Sequence, residues 1–225
     1  MNMETTTSAA STTRLAIDVW VDVLCPWCYV GEHRLAEAIR QSDHSDQVDL
    51  RVHTFQLDPD APTTVSSNLE YLSAKYAITA AQARAMERSM ASQAAREGLD
   101  YEPDRPVRNT FDLLRLIHLG NEHGVGFEYL RAMQARVFTG EADAFEVATL
   151  VRLGADLGIP EDEIVDVLAS DRYAEEVQAD HRVAEELGAR GLPFTVVGNR
   201  VGIPGTISTE QFRTIIDENW ESTHD

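Results

Sequence analysis

The 225-residue sequence contains a single lysine, Lys75, and only two cysteines, set against 38 aspartates and glutamates. Its formal charge is −19. A surface that negative repels phosphodiester backbones and anionic headgroups, so neither nucleic acid nor a membrane surface is an expected partner. No run approaches the roughly 20 apolar residues needed to cross a bilayer. Residues 1–13, rich in Thr, Ser and Ala, lack the basic start and apolar stretch of a secretion signal and read as a disordered tail. The expected location is therefore the cytoplasm, where a structural disulfide is not maintained. The share of apolar residues is ordinary, 43%, and supplies enough material for a sizeable core.

The first ordered stretch alternates Leu15, Ile17, Val19, Val21 and Val23 with Ala16, Asp18, Trp20 and Asp22, a period of two that predicts a strand up to Leu24. A helical pattern follows, with Leu35, Ala38 and Ile39 on one face, and fades near Gln41. Val48, Leu50 and Val52 open a second strand that runs to about Leu57, where Asp58-Pro59-Asp60-Ala61-Pro62 ends it. Strand, helix, strand suggests a parallel, right-handed βαβ unit. From about Ser66 to Ala189 the pattern is helical throughout. Thr79 with Gln82, and Asp143 with Glu146, have the spacing of helix N-terminal caps. Arg108 to Leu119 is apolar nearly all round, as in a buried helix. Met86, Met90 and Met133 read as core. The chain then returns to strand over Pro193 to Val197, turns at Gly198-Asn199, pairs back through Arg200 to Ile203, and enters a last helix capped by Ser208 with Gln211.

Both cysteines lie in one motif, Cys25-Pro26-Trp27-Cys28, where the first strand gives way to the first helix. Pro26 suits the first helical position, because its missing N–H has no intrahelical partner there anyway. Cys25 would then sit at the positive end of the helix dipole, facing unpaired backbone N–H groups that favour thiolate and make it the nucleophile. Cys28, one turn on, would resolve the mixed disulfide, at a separation that a disulfide tolerates. The competing reading is half of a zinc site. It lacks a second pair, and the nearest extra candidate, His33, has no partner ligand. Asp22, three residues before Cys25, reads as a solvent-side strand residue, although a carboxylate there could also tune the thiol. Trp27 and Tyr29 are candidates for the rim around Cys25.

Read together, Cys25-Pro26-Trp27-Cys28-Tyr29-Val30-Gly31, Phe55-Gln56-Leu57-Asp58-Pro59, Asn109-Thr110 and Gly191-Leu192-Pro193-Phe194 resemble the DsbA family of thioredoxin-like oxidoreductases, and within it the FrnE-like cytosolic branch. The resemblance implies an α/β thioredoxin-like fold carrying a helical insertion. The thioredoxin-like unit would comprise residues 14–62 and 190–221, and the inserted helices residues 63–189. It implies thiol–disulfide exchange with catalytic Cys25 and Cys28, and substrate contacts at Pro26, Trp27, Leu192 and Pro193, the Leu192–Pro193 bond being cis. No metal and no organic cofactor are called for; glutathione is a candidate redox partner, and the partners are protein or small-molecule thiols and disulfides. Two positions depart from the family pattern. Leu114, followed by Arg115, stands where a histidine is common, and Ile203-Pro204-Gly205-Thr206 replaces a Ser-Gly-Ala segment.

Two other readings accompany this one. The same superfamily includes 2-hydroxychromene-2-carboxylate isomerases and kappa-class glutathione transferases, which share the insertion and use glutathione; they generally carry serine at the position of Cys25. A third reading is a non-catalytic module whose inserted helices dock a protein. The oligomeric state and the direction of electron flow are not encoded in any motif.

Overall fold

A computed structural model describes residues 14–224, so the tail expected over residues 1–13 lies outside the described residues. The β-branched segment Leu15–Val21 forms strand β1, and helix α1 (Pro26–Gln41) follows with Pro26 in its first turn and Cys25 as its N-cap. A short 3₁₀ turn (Ser45–Gln47) leads into β2 (Val48–Thr54). β2 pairs in parallel with β1 from Leu15 opposite Val48 to Val21 opposite Thr54. Both strands stop earlier than their patterns suggested. Beyond Val21 the chain turns, because the Asp22 carboxylate accepts from Leu24 N and Leu57 N, and Cys25 N donates to the Asp22 carbonyl.

The segment between β2 and the third main-sheet strand is not wholly helical. Ser66–Ser67 (β3) and Pro106–Val107 (β4) form a two-residue antiparallel ladder that frames α2 (Asn68–Tyr76) and α3 (Ala80–Arg96). Thr79 caps α3 as expected, its hydroxyl accepting from Gln82 N while Gln82 Oε1 accepts from Thr79 N. Helices α4 (Phe111–Glu122), α5 (Gly126–Phe138), α6 (Val147–Asp156), α7 (Glu161–Ala169) and α8 (Ala174–Glu186) complete the segment. The start expected at Asp143 is corrected: α6 begins at Val147, because the Asp143 side chain is taken by Arg136 and by Thr149 Oγ1.

The C-terminal part is β5 (Phe194–Val197), β6 (Val201–Pro204) and α9 (Thr209–His224). Gly198 and Asn199 both adopt positive φ, 61° and 56°, the geometry that a two-residue hairpin turn requires. The main sheet has the order β2-β1-β5-β6, with β5 antiparallel to both neighbours. Ser208 and Gln211 exchange the bonds of a capping box at the start of α9.

One continuous core joins the sheet to the inserted helices, running from Leu15, Ile17 and Val19 through Leu113, Leu116 and Ile117 to Tyr129 and Met133. β1 is consequently buried on both faces, Trp20 and Asp18 included. α4 is the buried helix its composition suggested. Leu114 lies in the core, and Arg115, itself buried, donates to the carbonyls of Val167, Ser170 and Arg172. Arg115, next to the position that departs from the family pattern, thus supports the end of α7.

Candidate active site

The site forms where β1 ends and α1 begins. Cys25 has extended backbone angles (φ −74°, ψ 114°) and its Sγ accepts from Cys28 N at 3.4 Å. Facing it, at 3.9 Å from Cys25 Sγ, is the carbonyl of Leu192, and the Leu192–Pro193 peptide is cis. Helix and loop approach closely at Gly31, where an added Cβ would lie 3.0 Å from Pro193 Cγ and 3.1 Å from Thr206 Cβ. The loop is tied to the sheet end by Gly205 N donating to the Pro193 carbonyl at 2.8 Å. Cys25, Cys28, Pro26, Trp27 and Leu192 therefore gather at one end of the sheet, with Pro193 packed beneath.

Exposure differs sharply within this group. Cys25 is only 3% exposed and Cys28 is fully buried, while Trp27 is 44% exposed. Both sulfurs are free thiols. Burial pushes the Cys28 thiol well above its ordinary value, reinforced by its hydrogen bond to Cys25 and by charge on Cys25. Tyr29 is not on the rim. It is buried, stacked on Phe138 with ring centroids 4.4 Å apart, with its hydroxyl donating to the Asp100 carbonyl. Its ring is drawn instead against α5 of the segment between β2 and β5, through Phe138.

Two acids missed or misplaced by the sequence pattern lie against the pair. Asp22 is 1% exposed rather than solvent-side. Its carboxylate accepts from Leu24 N at 3.1 Å, Leu57 N at 2.7 Å and Thr110 Oγ1 at 3.2 Å. Burial raises its pKa, and these hydrogen bonds only partly offset that effect. Glu32 lies one helical turn beyond Cys28 and is also buried. Burial drives its pKa well upward against a bond from Gln134 Nε2 at 3.2 Å, and its Oε2 has no hydrogen-bond partner among the described residues. The signal for Glu32 was available: residues 28, 32 and 35 recur at helical spacing, so Glu32 belongs to the apolar face of α1.

Next to Cys25 the inserted helices enclose a cavity. Its walls include Asp22, Trp27, Leu57, Met86, Met90, Arg105 and Leu192. The sole lysine, Lys75, stands at this cavity, 2.8 Å from Asp58 Oδ2 and 2.9 Å from the Tyr71 hydroxyl. Met90 is buried, as expected of a core methionine, but Met86 is about half exposed at the cavity wall. Among the described residues, no group of three or more His, Cys, Asp and Glu side chains is arranged to hold a metal ion. No helix among the described residues is long and apolar enough to cross a membrane.

The model of the DSBA-like thioredoxin domain matches residues 16–217 of this chain. A solved structure of a probable DsbA oxidoreductase from Streptomyces coelicolor is 38% identical, with 92% of this chain and 91% of that one covered and a TM-score of 0.84. A 2-hydroxychromene-2-carboxylate isomerase has the same fold at 16% identity, with 93% of this chain and 94% of that one covered and a TM-score of 0.63. So does the cytosolic disulfide reductase DsbM from Pseudomonas aeruginosa, at 17% identity, with 93% of this chain and 97% of that one covered and a TM-score of 0.60, which has also been solved with GSH. The chain belongs to the DSBA-like thioredoxin domain family.

Proposed function

We propose that the protein is a thiol–disulfide oxidoreductase of the FrnE-like kind, working in the cytoplasm through the Cys25-Pro26-Trp27-Cys28 dithiol. The observation that carries this reading is the contact of 3.4 Å between Cys25 Sγ and the Cys28 N–H at the N-terminus of a 16-residue helix. A backbone N–H aimed at sulfur and the positive end of the helix dipole both stabilise negative charge on Cys25.

Cys25 thiolate attacks a substrate disulfide and expels one thiolate, leaving a mixed disulfide at Cys25. Cys28 then gives up its proton and attacks Cys25 Sγ, expelling the second thiolate and closing the Cys25–Cys28 disulfide. Two electrons pass to the substrate, and a thiol reductant, for which glutathione is the candidate, returns the pair. Run backwards, the same steps oxidise a dithiol. Burial of Cys28 delays its ionisation until the mixed disulfide has removed the charge on Cys25. Leu192 and Pro193 hold the substrate beside Cys25, and Pro26 and Trp27 line its approach. The thioredoxin-like unit of residues 14–62 and 190–221 carries this chemistry, while the insertion shapes access.

A Cys28→Ser variant exposed to excess glutathione disulfide should accumulate one equivalent of a mixed disulfide on Cys25, read by mass spectrometry. Cys25→Ser should accumulate far less on Cys28, which is buried. Equal labelling of the two variants, or none in either, would contradict the assignment of roles. The isomerase and transferase reading shares the fold but has no use for Cys28.

A further inference from the structure

Resting on the dithiol reading, we propose that the substrate disulfide is a small, uncharged, apolar molecule, aromatic or branched-aliphatic, taken into the cavity beside Cys25. Cys25 lines this cavity and is otherwise buried, so a disulfide must enter the cavity to meet its sulfur. A cystine held on the surface of a folded protein cannot do so without opening the walls. The volume, about 310 Å³, falls at the lower end of small-ligand sites, roughly 300–1,000 Å³.

The walls set the chemistry. Floor residues Ala61, Met90, Val107 and Leu192 are apolar and buried. At the mouth stand Trp27, Leu57, Tyr76 and Met86, four of the nine large apolar side chains exposed among the described residues. Apolar surface left uncovered around a cavity mouth marks a binding site rather than a packing remainder. The cations at the wall are already neutralised: Lys75 bonds Asp58 at 2.8 Å, and the buried Arg105 bonds Glu87 at 2.5 Å. Burial favours the neutral form of Asp22, the remaining acid. With both cations committed, a polyanionic disulfide such as glutathione disulfide finds no counter-charge and the molecule, at −19, disfavours its binding, so it exchanges with Cys25 slowly and without saturation, reaching equilibrium only in excess.

The reaction balances within this site. The bound R–S–S–R accepts the Cys25 thiolate, releasing one RS⁻. Cys28 loses its proton to solvent and displaces the second RS⁻, so the ligand gains two electrons and the dithiol becomes a disulfide. An added dithiol such as dithiothreitol restores the reduced pair.

The test is steady-state reduction of 4,4′-dithiodipyridine, an uncharged aryl disulfide, beside glutathione disulfide and disulfide-bonded insulin, with the full chain and dithiothreitol. Saturation is expected with the aryl disulfide alone over the same concentration range. Met86→Glu, at an exposed mouth position that the fold does not depend on, should raise KM for the aryl disulfide roughly tenfold with kcat kept. Ala61→Phe, which fills the floor, should lower kcat/KM further. Insulin oxidising the pair as fast as the aryl disulfide, or Met86→Glu leaving KM unmoved, would overturn the proposal. Failure of the dithiol reading itself would look different: the unmodified protein would form no reversible Cys25–Cys28 disulfide with any of the three.

Discussion

His53, on β2, is held between two carboxylates, its Nε2 2.8 Å from Asp18 Oδ1 and its Nδ1 3.1 Å from Asp180 Oδ1. At the dithiol end of the same sheet, Asp22 and Glu32 accept only from neutral donors, Leu24, Leu57 and Thr110 for one and Gln134 for the other. In the first cluster burial opposes charge, yet the partners outweigh it: His53 is raised to about 9, and Asp180 is lowered by His118, His53 and Thr54. In the second cluster burial wins, and Asp22, Cys28 and Glu32 all move toward their neutral forms. The difference separates two uses of buried ionisable groups. Paired charges fasten α8 to the sheet, whereas near the dithiol burial without a charged partner holds the ionisable groups toward their neutral forms.

The comparison can be broken most forcefully at His53. His53→Ala leaves Asp18 and Asp180 facing each other without their shared cation, and should cost about 3 kcal/mol, measured by urea unfolding at pH 6. Glu32→Gln, in the other cluster, replaces an already neutral group and should stay within about 1 kcal/mol at pH 4. Similar losses for the two variants would erase the distinction.

The pH dependence sharpens it. His53 holds its proton more tightly folded than unfolded, so its stabilisation is complete below about 6.5 and is lost as pH rises through about 9. That loss should be on the order of 2 kcal/mol for a group that is partly exposed, and absent in His53→Ala. Glu32 likewise binds its proton more tightly in the fold, so its contribution is present below its ordinary value of 4.5 and declines as pH rises through the raised one. Glu32→Gln should therefore gain stability relative to the parent between pH 4 and pH 7. A comparably small effect is expected at Thr110. Thr110→Val removes one 3.2 Å bond to Asp22, should cost about 1 kcal/mol, and should raise the Asp22 pKa further, as read by carboxyl NMR titration.

Much of this architecture is legible in sequence where the signal is local. The N-terminus of α1 follows from Cys25-Pro26, the α3 and α9 caps from Thr79 with Gln82 and Ser208 with Gln211, and the hairpin from Gly198-Asn199, because each is decided by residues a few positions apart. Asp22 was misread because alternation along β1 assumes one wet face, whereas the inserted helices cover that face and bury Asp18, Trp20 and Asp22 together. Asp143 shows the converse: a capping pattern is overruled when Arg136 and Thr149 compete for the carboxylate. The β3–β4 ladder spans two residues on each side, too few for any periodicity. The cavity wall draws Leu57, Lys75, Met86 and Arg105 from distant segments, and only the tertiary fold brings them to Cys25.

The most direct test of the account is an equilibrium titration of the unmodified protein against reduced and oxidised glutathione, read by thiol trapping and by Trp27-sensitive fluorescence. The account predicts a single reversible two-electron transition, with a midpoint between about −120 and −270 mV, in which Cys25 and Cys28 are protected together. A titration that yields no intramolecular disulfide, or stops at a persistent glutathione adduct on Cys25, would contradict it.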